Sequence, residues 1–223
     1  MAHRMTLKQI EPVTQDTHHL VFDRPDGFEY SPGQGVELHV LKDGWKDEGR
    51  PFTPVSLPEQ PMLEFVIKSY PDHNGVTEQI GKMTPGDEVE MKGPFGAMSD
   101  QGPGVFIAGG AGVTPMIAIL RKRLHDKGTL AGSKLIFANK TEDDIIWRNQ
   151  FEAMEGLESV FVVDTAKPGS ALPEQRLDRD FLGQFVQADD RCYLCGPPPM
   201  MDAVRDALKD LGVKDTQIVE EKF

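Results

Sequence analysis

Val105-Phe106-Ile107-Ala108-Gly109-Gly110-Ala111-Gly112-Val113-Thr114-Pro115-Met116-Ile117 decides the reading of this chain. An apolar strand runs into a glycine-rich turn, and the turn opens a helix. Cys192-Tyr193-Leu194-Cys195-Gly196-Pro197-Pro198-Pro199-Met200 repeats the theme with a strand that stops at a rigid glycine-proline corner. In open α/β sheets, ligands gather outside the carboxyl ends of the strands. Two such junctions in one half of a protein therefore predict a dinucleotide site. Gly110-x-Gly112-x-x-Pro115 follows the dinucleotide fingerprint with proline in place of its third glycine. Gly110 and Gly112 let the backbone turn tightly and approach a pyrophosphate. Pro115 falls in the first helical turn, where its missing N–H has no helical partner to lose. The helix amino terminus then offers N–H groups and a positive dipole end to phosphate.

Outward from this stretch, strands alternate with amphipathic helices. Strands are expected at Val105 to Ala108, Leu135 to Ala138, Val160 to Val163, Arg191 to Cys195 and Gln217 to Glu220. Between them, helices are expected at Pro115 to Lys127, Glu142 to Met154, Asp178 to Val186 and Met200 to Leu211. This βαβ alternation predicts a parallel sheet with helices on both faces. The first hundred residues read differently. Val36 to Val40 and Leu63 to Ile67 are strand-like, and Asp43-Gly44, Asn74-Gly75 and Pro85-Gly86-Asp87 are turn chemistry. Short strands with frequent turns predict a closed antiparallel barrel or sandwich, with one short helix near Val76 to Lys82. The polar Ser99 to Gly104 stretch marks the boundary, giving domains 1–101 and 102–223.

The chain has 223 residues, 39% apolar and 27% charged, as in a globular protein with a real core. A formal net charge of -12 argues against nucleic acid as a partner, since phosphate needs a basic face. No apolar run approaches the roughly 18 residues of a membrane span, and the amino terminus lacks a secretory pattern. The expectation is a cytoplasmic protein with no membrane partner. The two cysteines, Cys192 and Cys195, have redox-motif spacing. In a strand they point to opposite faces, which disfavours a dithiol, and no second pair exists for a structural zinc site.

Arg50-Pro51-Phe52-Thr53 sets an arginine able to clamp a diphosphate beside an aromatic ring and a hydroxyl. Further on come Asn74-Gly75-Val76-Thr77, Gly93-Pro94-Phe95-Gly96, the Gly109 to Pro115 loop, and Cys195 to Met200. That set, in that order over essentially the whole chain, resembles the ferredoxin-NADP reductase superfamily of flavoenzymes. The closing Ile218-Val219-Glu220-Glu221-Lys222-Phe223 is similar to the family's terminal strand.

The resemblance implies a six-stranded antiparallel β-barrel that binds FAD and a carboxyl-terminal parallel-sheet domain that binds NADH or NADPH. By position, Arg50 would hold the FAD diphosphate, and Phe52 would lie against the flavin, where the family more often has tyrosine. Thr53 would hydrogen-bond near flavin N5. The backbone of Val66, Ile67 and Lys68 would meet the flavin edge, while Gly75, Val76 and Thr77 would cap the diphosphate. Gly110, Gly112, Thr114 and Pro115, with Cys195, Gly196 and Pro197, would receive the nicotinamide dinucleotide. Cys195 and Glu221 would line the nicotinamide pocket, and Phe223 would cover the flavin face until displaced. Hydride transfer needs donor and acceptor atoms within about 3–3.5 Å, so holding that geometry is most of the catalysis.

No ferredoxin, flavin-mononucleotide or haem module is read within these residues, so the expected acceptor is a separate redox protein or a small molecule. Lys140 could meet a 2′-phosphate, but Asp164 would repel one, though Arg176 is expected nearby, and the balance leans towards NADH. Two other readings stay open: a flavin reductase using free flavin as substrate, and a non-catalytic electron-transfer subunit. Oligomeric state is not legible.

Overall fold

The computed structural model describes residues 2–96 and 98–220. In the first half, β1 (Ala2–Pro12), β2 (Thr17–Asp23), β3 (Gly35–Val40), β4 (Gly49–Phe52), β5 (Met62–Lys68) and β6 (Glu88–Phe95) form one antiparallel sheet. Its order is β4-β3-β6-β1-β2-β5. β1 is long enough to serve two neighbours: Ala2 to Thr6 pair with β6, and Leu7 to Pro12 pair with β2. The register slips between Leu7 and Gln9, and such a bulge bends a strand. The sheet thus curls around Met5, Leu7, Leu20, Phe22, Leu38 and Phe65, all buried. The short helix α1 (Val76–Gly81) adds Val76 and Ile80 to that core. β4 and β5 end the strand order and do not pair with each other, so the barrel stays unsealed between them.

In the second half, β7 (Val105–Gly109), β8 (Ser133–Asn139), β9 (Leu157–Val163), β10 (Cys192–Cys195) and β11 (Ile218–Glu220) form a parallel sheet ordered β11-β10-β7-β8-β9. Period-two geometry sorts its residues cleanly. Phe106, Ala108, Leu135, Phe137, Tyr193 and Cys195 enter one core layer with α2 (Thr114–Lys127) and α3 (Arg148–Glu152). Val105, Ile107, Ile136, Cys192 and Leu194 enter the other, with α4 (Arg179–Leu182) and α5 (Pro198–Asp210). Both faces are covered, as the near-continuous apolar strands require.

Two expected helices are much shorter than their periodicity predicts. Glu142 to Met154 breaks into a 3-10 turn at Glu142–Asp144 and the short α3. Thr141 and Asp144 close a capping box on the first piece, Ile145 and Ile146 turn into the core, and Trp147 adopts a left-handed φ of 52°. Asp178 to Val186 forms one regular turn, capped by the Asp178 carboxylate accepting from the Phe181 N–H at 2.9 Å. Among the described residues no helix is long and apolar enough to cross a membrane.

The segment between the sheets is pinned by a buried phenol. Tyr193 Oη donates to the Gly102 carbonyl at 2.8 Å and accepts from the Gln101 N–H at 2.9 Å. Its ring lies on Phe106, centroids 4.1 Å apart and planes 2° from parallel. Tyr193→Phe keeps the stack and strips two hydrogen bonds from the partly exposed Gln101–Gly102 backbone. A stability loss of about 1–3 kcal/mol is expected in chemical denaturation. An unchanged midpoint would show that water replaces the phenol at no cost.

Candidate functional site

β7 sits at the centre of the parallel sheet. The chain builds β8 and β9 on one side of it, then returns to place β10 and β11 on the other. Strand order reverses between β7 and β10, and a crevice opens at such a reversal. The loop after β7 and the corner after β10 emerge there side by side. A Cβ on Gly112 would stand 2.5 Å from the Cys195 carbonyl oxygen and 2.7 Å from the Gly196 Cα. One on Gly109 would collide with Met200 Sδ. Gly110 turns the chain at a φ of 52°, in the left-handed region. These glycines therefore allow two backbones to touch and leave a cradle above them.

The cradle faces the unsealed side of the barrel across a cavity of about 420 Å³, within the usual range for a small-ligand site. Phe52, Thr53, Val66, Ile67, Lys68 and Thr77 line the barrel wall. Gly112, Thr114, Pro115, Cys195, Gly196 and Pro197 line the sheet wall. Residues more than a hundred positions apart thus share one space. Thr53 is 5% exposed, and among the described residues its hydroxyl has no hydrogen-bond partner. A nearly buried, unpartnered hydroxyl beside an aromatic ring, opposite a glycine cradle at a helix start, fits a flavin on one wall and a nicotinamide dinucleotide on the other.

Other expected residues stand elsewhere. Arg50 is exposed: Nη1 donates to the Gly49 carbonyl at 2.7 Å, and Nη2 lies 3.4 Å from Glu48. Phe52, by contrast, packs on the barrel core, so the two do not line the cavity together. Val76 is buried inside the barrel, and Gly75 caps α1 at its amino terminus, leaving their backbones as the available groups. Glu221 and Phe223 lie outside the described residues.

Tyr70 lines the cavity and was not anticipated. It is 43% exposed, a rare large exposed ring here, and it contacts His73 at 5.6 Å. Its period-two spacing from Lys68 was the signal. Asp72 and Asn74, just beyond, adopt left-handed φ values of 72° and 47°, so this loop holds local strain beside the cavity.

Lys68 Nζ pairs with Asp16 at 2.8 Å and reaches towards Asp144 at 3.9 Å. Burial raises the Asp16 carboxyl, but the Lys68 hydrogen bond and charge outweigh it and hold the group below its ordinary 3.8. Burial pushes the Cys192 thiol up to about 12, and its side chain points into the α4–α5 layer, away from the cavity. Cys195 faces the cavity side. No disulfide joins the two.

Family models match both halves: the "Oxidoreductase FAD-binding domain" over residues 4–99 and the "Oxidoreductase NAD-binding domain" over residues 106–206. The chain is 32% identical to NADH-cytochrome b5 reductase 2 of Mycosarcoma maydis over 89% of its own length and 63% of that protein. It is 31% identical to the reductase component of propane 2-monooxygenase of Rhodococcus jostii, over 99% of its length and 63% of that protein. The chain thus spans 63% of each of these relatives. Among solved structures, the CS-b5R domains of human Ncb5or in the NAD+ form superpose with a TM-score of 0.88 at 28% identity, covering 100% of this chain and 70% of that one. A ferredoxin NADP+ reductase of Neisseria gonorrhoeae with bound FAD and NADP shares the fold, with a TM-score of 0.85 at 19% identity over 99% and 98% of the two chains.

Gly112→Ala tests the cradle. The clash is with backbone, which cannot swing away, so dinucleotide affinity should fall about tenfold or more for each 1.4 kcal/mol of misfit. Titration calorimetry with NAD+ and NADP+ checks it; wild-type affinity would detach Gly112 from the site. Asp16 gives a pH signature. Its lowered carboxyl contributes stability that is full above the ordinary carboxylate range and fades as pH falls through the lowered value. Asp16→Asn should flatten that acid limb in denaturation midpoints, leaving neutral pH as the region of largest loss.

Proposed function

The chain belongs to the ferredoxin-NADP reductase superfamily of FAD- and NAD-binding oxidoreductases, and from that premise we propose that it takes hydride from NADH onto FAD and passes electrons to a separate acceptor. The observation that supports this most directly is the single cavity in which Thr53 and Phe52 face Gly112, Thr114 and Cys195. FAD, when bound, accepts two electrons as hydride and can release them singly, which is what a one-electron redox partner needs.

The chain's own residues do the rest. Phe52 supplies an apolar surface against which a flat ring system is held. The Thr53 hydroxyl offers a hydrogen bond at the same wall. The first turn of α2, entered through Gly110 and Gly112, presents N–H groups to a pyrophosphate. Thr114 helps to set that turn: its hydroxyl donates to the Ala111 carbonyl at 3.0 Å. Cys195, buried at the base of the cavity, keeps the reacting edge out of water. We assign residues 1–101 to the flavin half and 102–223 to the dinucleotide half. Arg50, now directed to Glu48, would have to leave that exposed pair to reach a diphosphate, a small cost for an exposed ion pair.

Preference for NADH is supported by charge. Asp164 follows β9, and its N–H bonds the Asn139 carbonyl at 2.9 Å. Lys140 is exposed next to it, and Thr165 N–H bonds its carbonyl at 2.9 Å. Lys167 is taken up by Asp143, and Glu142 and Glu174 stand nearby, bonded to Ser170 and to the Ala166 N–H. A 2′-phosphate would meet more carboxylate than free cation here.

For the acceptor, the relatives' names give two directions, cytochrome b5 and a monooxygenase. The net charge of -12 favours a partner with a basic docking face.

Mixing the FAD-loaded protein anaerobically with NADH should bleach the flavin absorbance, more slowly with NADPH. No bleaching by either nucleotide would leave the non-catalytic subunit reading standing, and FAD that washes off freely would favour the flavin reductase reading. Thr53→Ala should slow bleaching about 10- to 100-fold, the scale of one lost transition-state hydrogen bond. Asp164→Ser should narrow the gap between the two nucleotides by about tenfold, worth 1.4 kcal/mol; an unchanged ratio of kcat/KM values would remove Asp164 from the specificity argument.

A further inference from the structure

Three consecutive basic residues on α2, Arg121-Lys122-Arg123, each meet a carboxylate from the first hundred residues. Arg121 Nη1 lies 3.0 Å from Glu64 Oε2. Lys122 Nζ lies 2.7 Å from Glu59 Oε1, and Arg123 Nη1 lies 3.6 Å from Asp100 Oδ1. In a chain with 36 acidic and 24 basic residues, this is a concentrated use of cations. All three belong to the helix whose first turn lines the cavity.

Arg121 is placed differently from its neighbours. Its Nη1 also donates to the Val55 carbonyl at 2.7 Å. Val55 lies two residues beyond Thr53, and Glu64 lies two residues before Val66 on the same face of β5. The Val55 N–H donates to the Glu64 carbonyl at 2.8 Å, so the two anchor points are themselves joined. One guanidinium therefore ties α2 to two of the chain segments that form the barrel wall of the cavity, those of Thr53 and Val66. Thr114 sits seven residues up the helix, about 10 Å at 1.5 Å per residue. A rigid helix carries the position of Arg121 to the glycine cradle.

The surroundings hold Arg121 in place. His19 Nε2 approaches the same Glu64 oxygen at 3.4 Å, and the His19 ring meets Trp147 edge-on at 5.4 Å. Arg121 lies 6.0 Å from the centre of the Trp147 ring. Trp147 holds a left-handed φ of 52°, a conformation that costs a bulky residue and persists only where neighbours fix it. His19 and Arg121 together hold the Glu64 carboxyl below its ordinary value, against the opposite pull of burial.

We propose that Arg121 is a positioning residue for hydride transfer, clamping the dinucleotide cradle in register with the flavin wall. The inference rests on the proposed function for its catalytic consequence, and on the contacts above for the clamp. A second cavity, about 690 Å³ and lined by His19, Glu64, Arg121 and Trp147, lies beside it. That space lets small ions reach the clamp, which makes chemical rescue practicable.

The test uses the FAD-loaded protein and two readouts. In anaerobic rapid mixing, Arg121→Ala should reduce flavin bleaching at saturating NADH about 10- to 100-fold, the penalty of a misplacement near 1 Å, while FAD retention and KM for NADH change little. Arg121→Lys should fall between, because a lysine keeps the charge but loses the planar guanidinium held beside Trp147. Millimolar guanidinium chloride should partly restore the alanine variant, with sodium chloride as the ionic control. Separately, without nicotinamide, hydrogen exchange at Val66 to Lys68 and at Gly110 to Thr114 should quicken in Arg121→Ala, while Leu7 and Leu20 stay protected. Should the alanine variant fail to fold, Arg121→Lys and Glu64→Gln decide by the same readouts. Unchanged exchange in the folded variants overturns the clamp. Faster exchange with an unchanged bleaching rate overturns the positioning role. If wild-type flavin is not reduced by either nucleotide, the proposed function falls, and with it the catalytic role of Arg121; exchange still decides whether the clamp exists.

Discussion

One buried cluster makes the two sheets a single working body. Val55 and Val66 from the barrel half, and Met98 from the segment after it, enter the same apolar layer as Phe106, Met116, Ile117 and Leu120. Burying a side chain of this size is worth about 1.5–3 kcal/mol, so parting the sheets along this seam would expose several such groups. The cavity exists because the packing stops just short of it. β5 gives Val66 to the shared core, while Lys68 and the neighbouring Thr53 stand at the rim.

Polar contacts then refine what the apolar seam holds together. Lys68 pairs with Asp16 and approaches Asp144, Arg121 pairs with Glu64, and Tyr193 pins the Gln101–Gly102 backbone. Apolar packing is tolerant of small slides. Hydrogen-bonded pairs with fixed geometry are less so, and Arg121, serving two acceptors with one nitrogen, is the least tolerant of them. In the proposed hydride transfer, which would depend on close alignment of two bound nucleotides, such contacts would matter for rate more than for stability.

The glycine cradle was legible because its logic is local. Gly110 needs a left-handed φ and Pro115 needs a first helical turn, and both requirements show in consecutive letters; that Gly112 also makes room for the Cys195 backbone does not. The alternation of β7 to β11 was equally plain, since every strand has two buried faces. The 142–154 region misled because its apolar spacing looked helical, whereas Ile145 and Ile146 are consecutive core residues and Trp147 turns left-handed just after them. Arg50 pointed to a diphosphate by motif, yet its side chain lies against Glu48, a near neighbour that spacing alone does not rank as a competitor.

What the sequence alone determined was the set of parts: an antiparallel barrel half, a parallel nucleotide half, and the loops with phosphate chemistry. These follow from dihedral preference and hydrophobic period, which act over a few residues. The tertiary structure decided which parts meet. That Thr53 faces Cys195 across one cavity, that Tyr70 joins its rim, and that Arg121 grips Glu64 from 57 positions away depend on how two sheets pack. Packing is a property of surfaces assembled from distant segments, and no local preference of the chain encodes it.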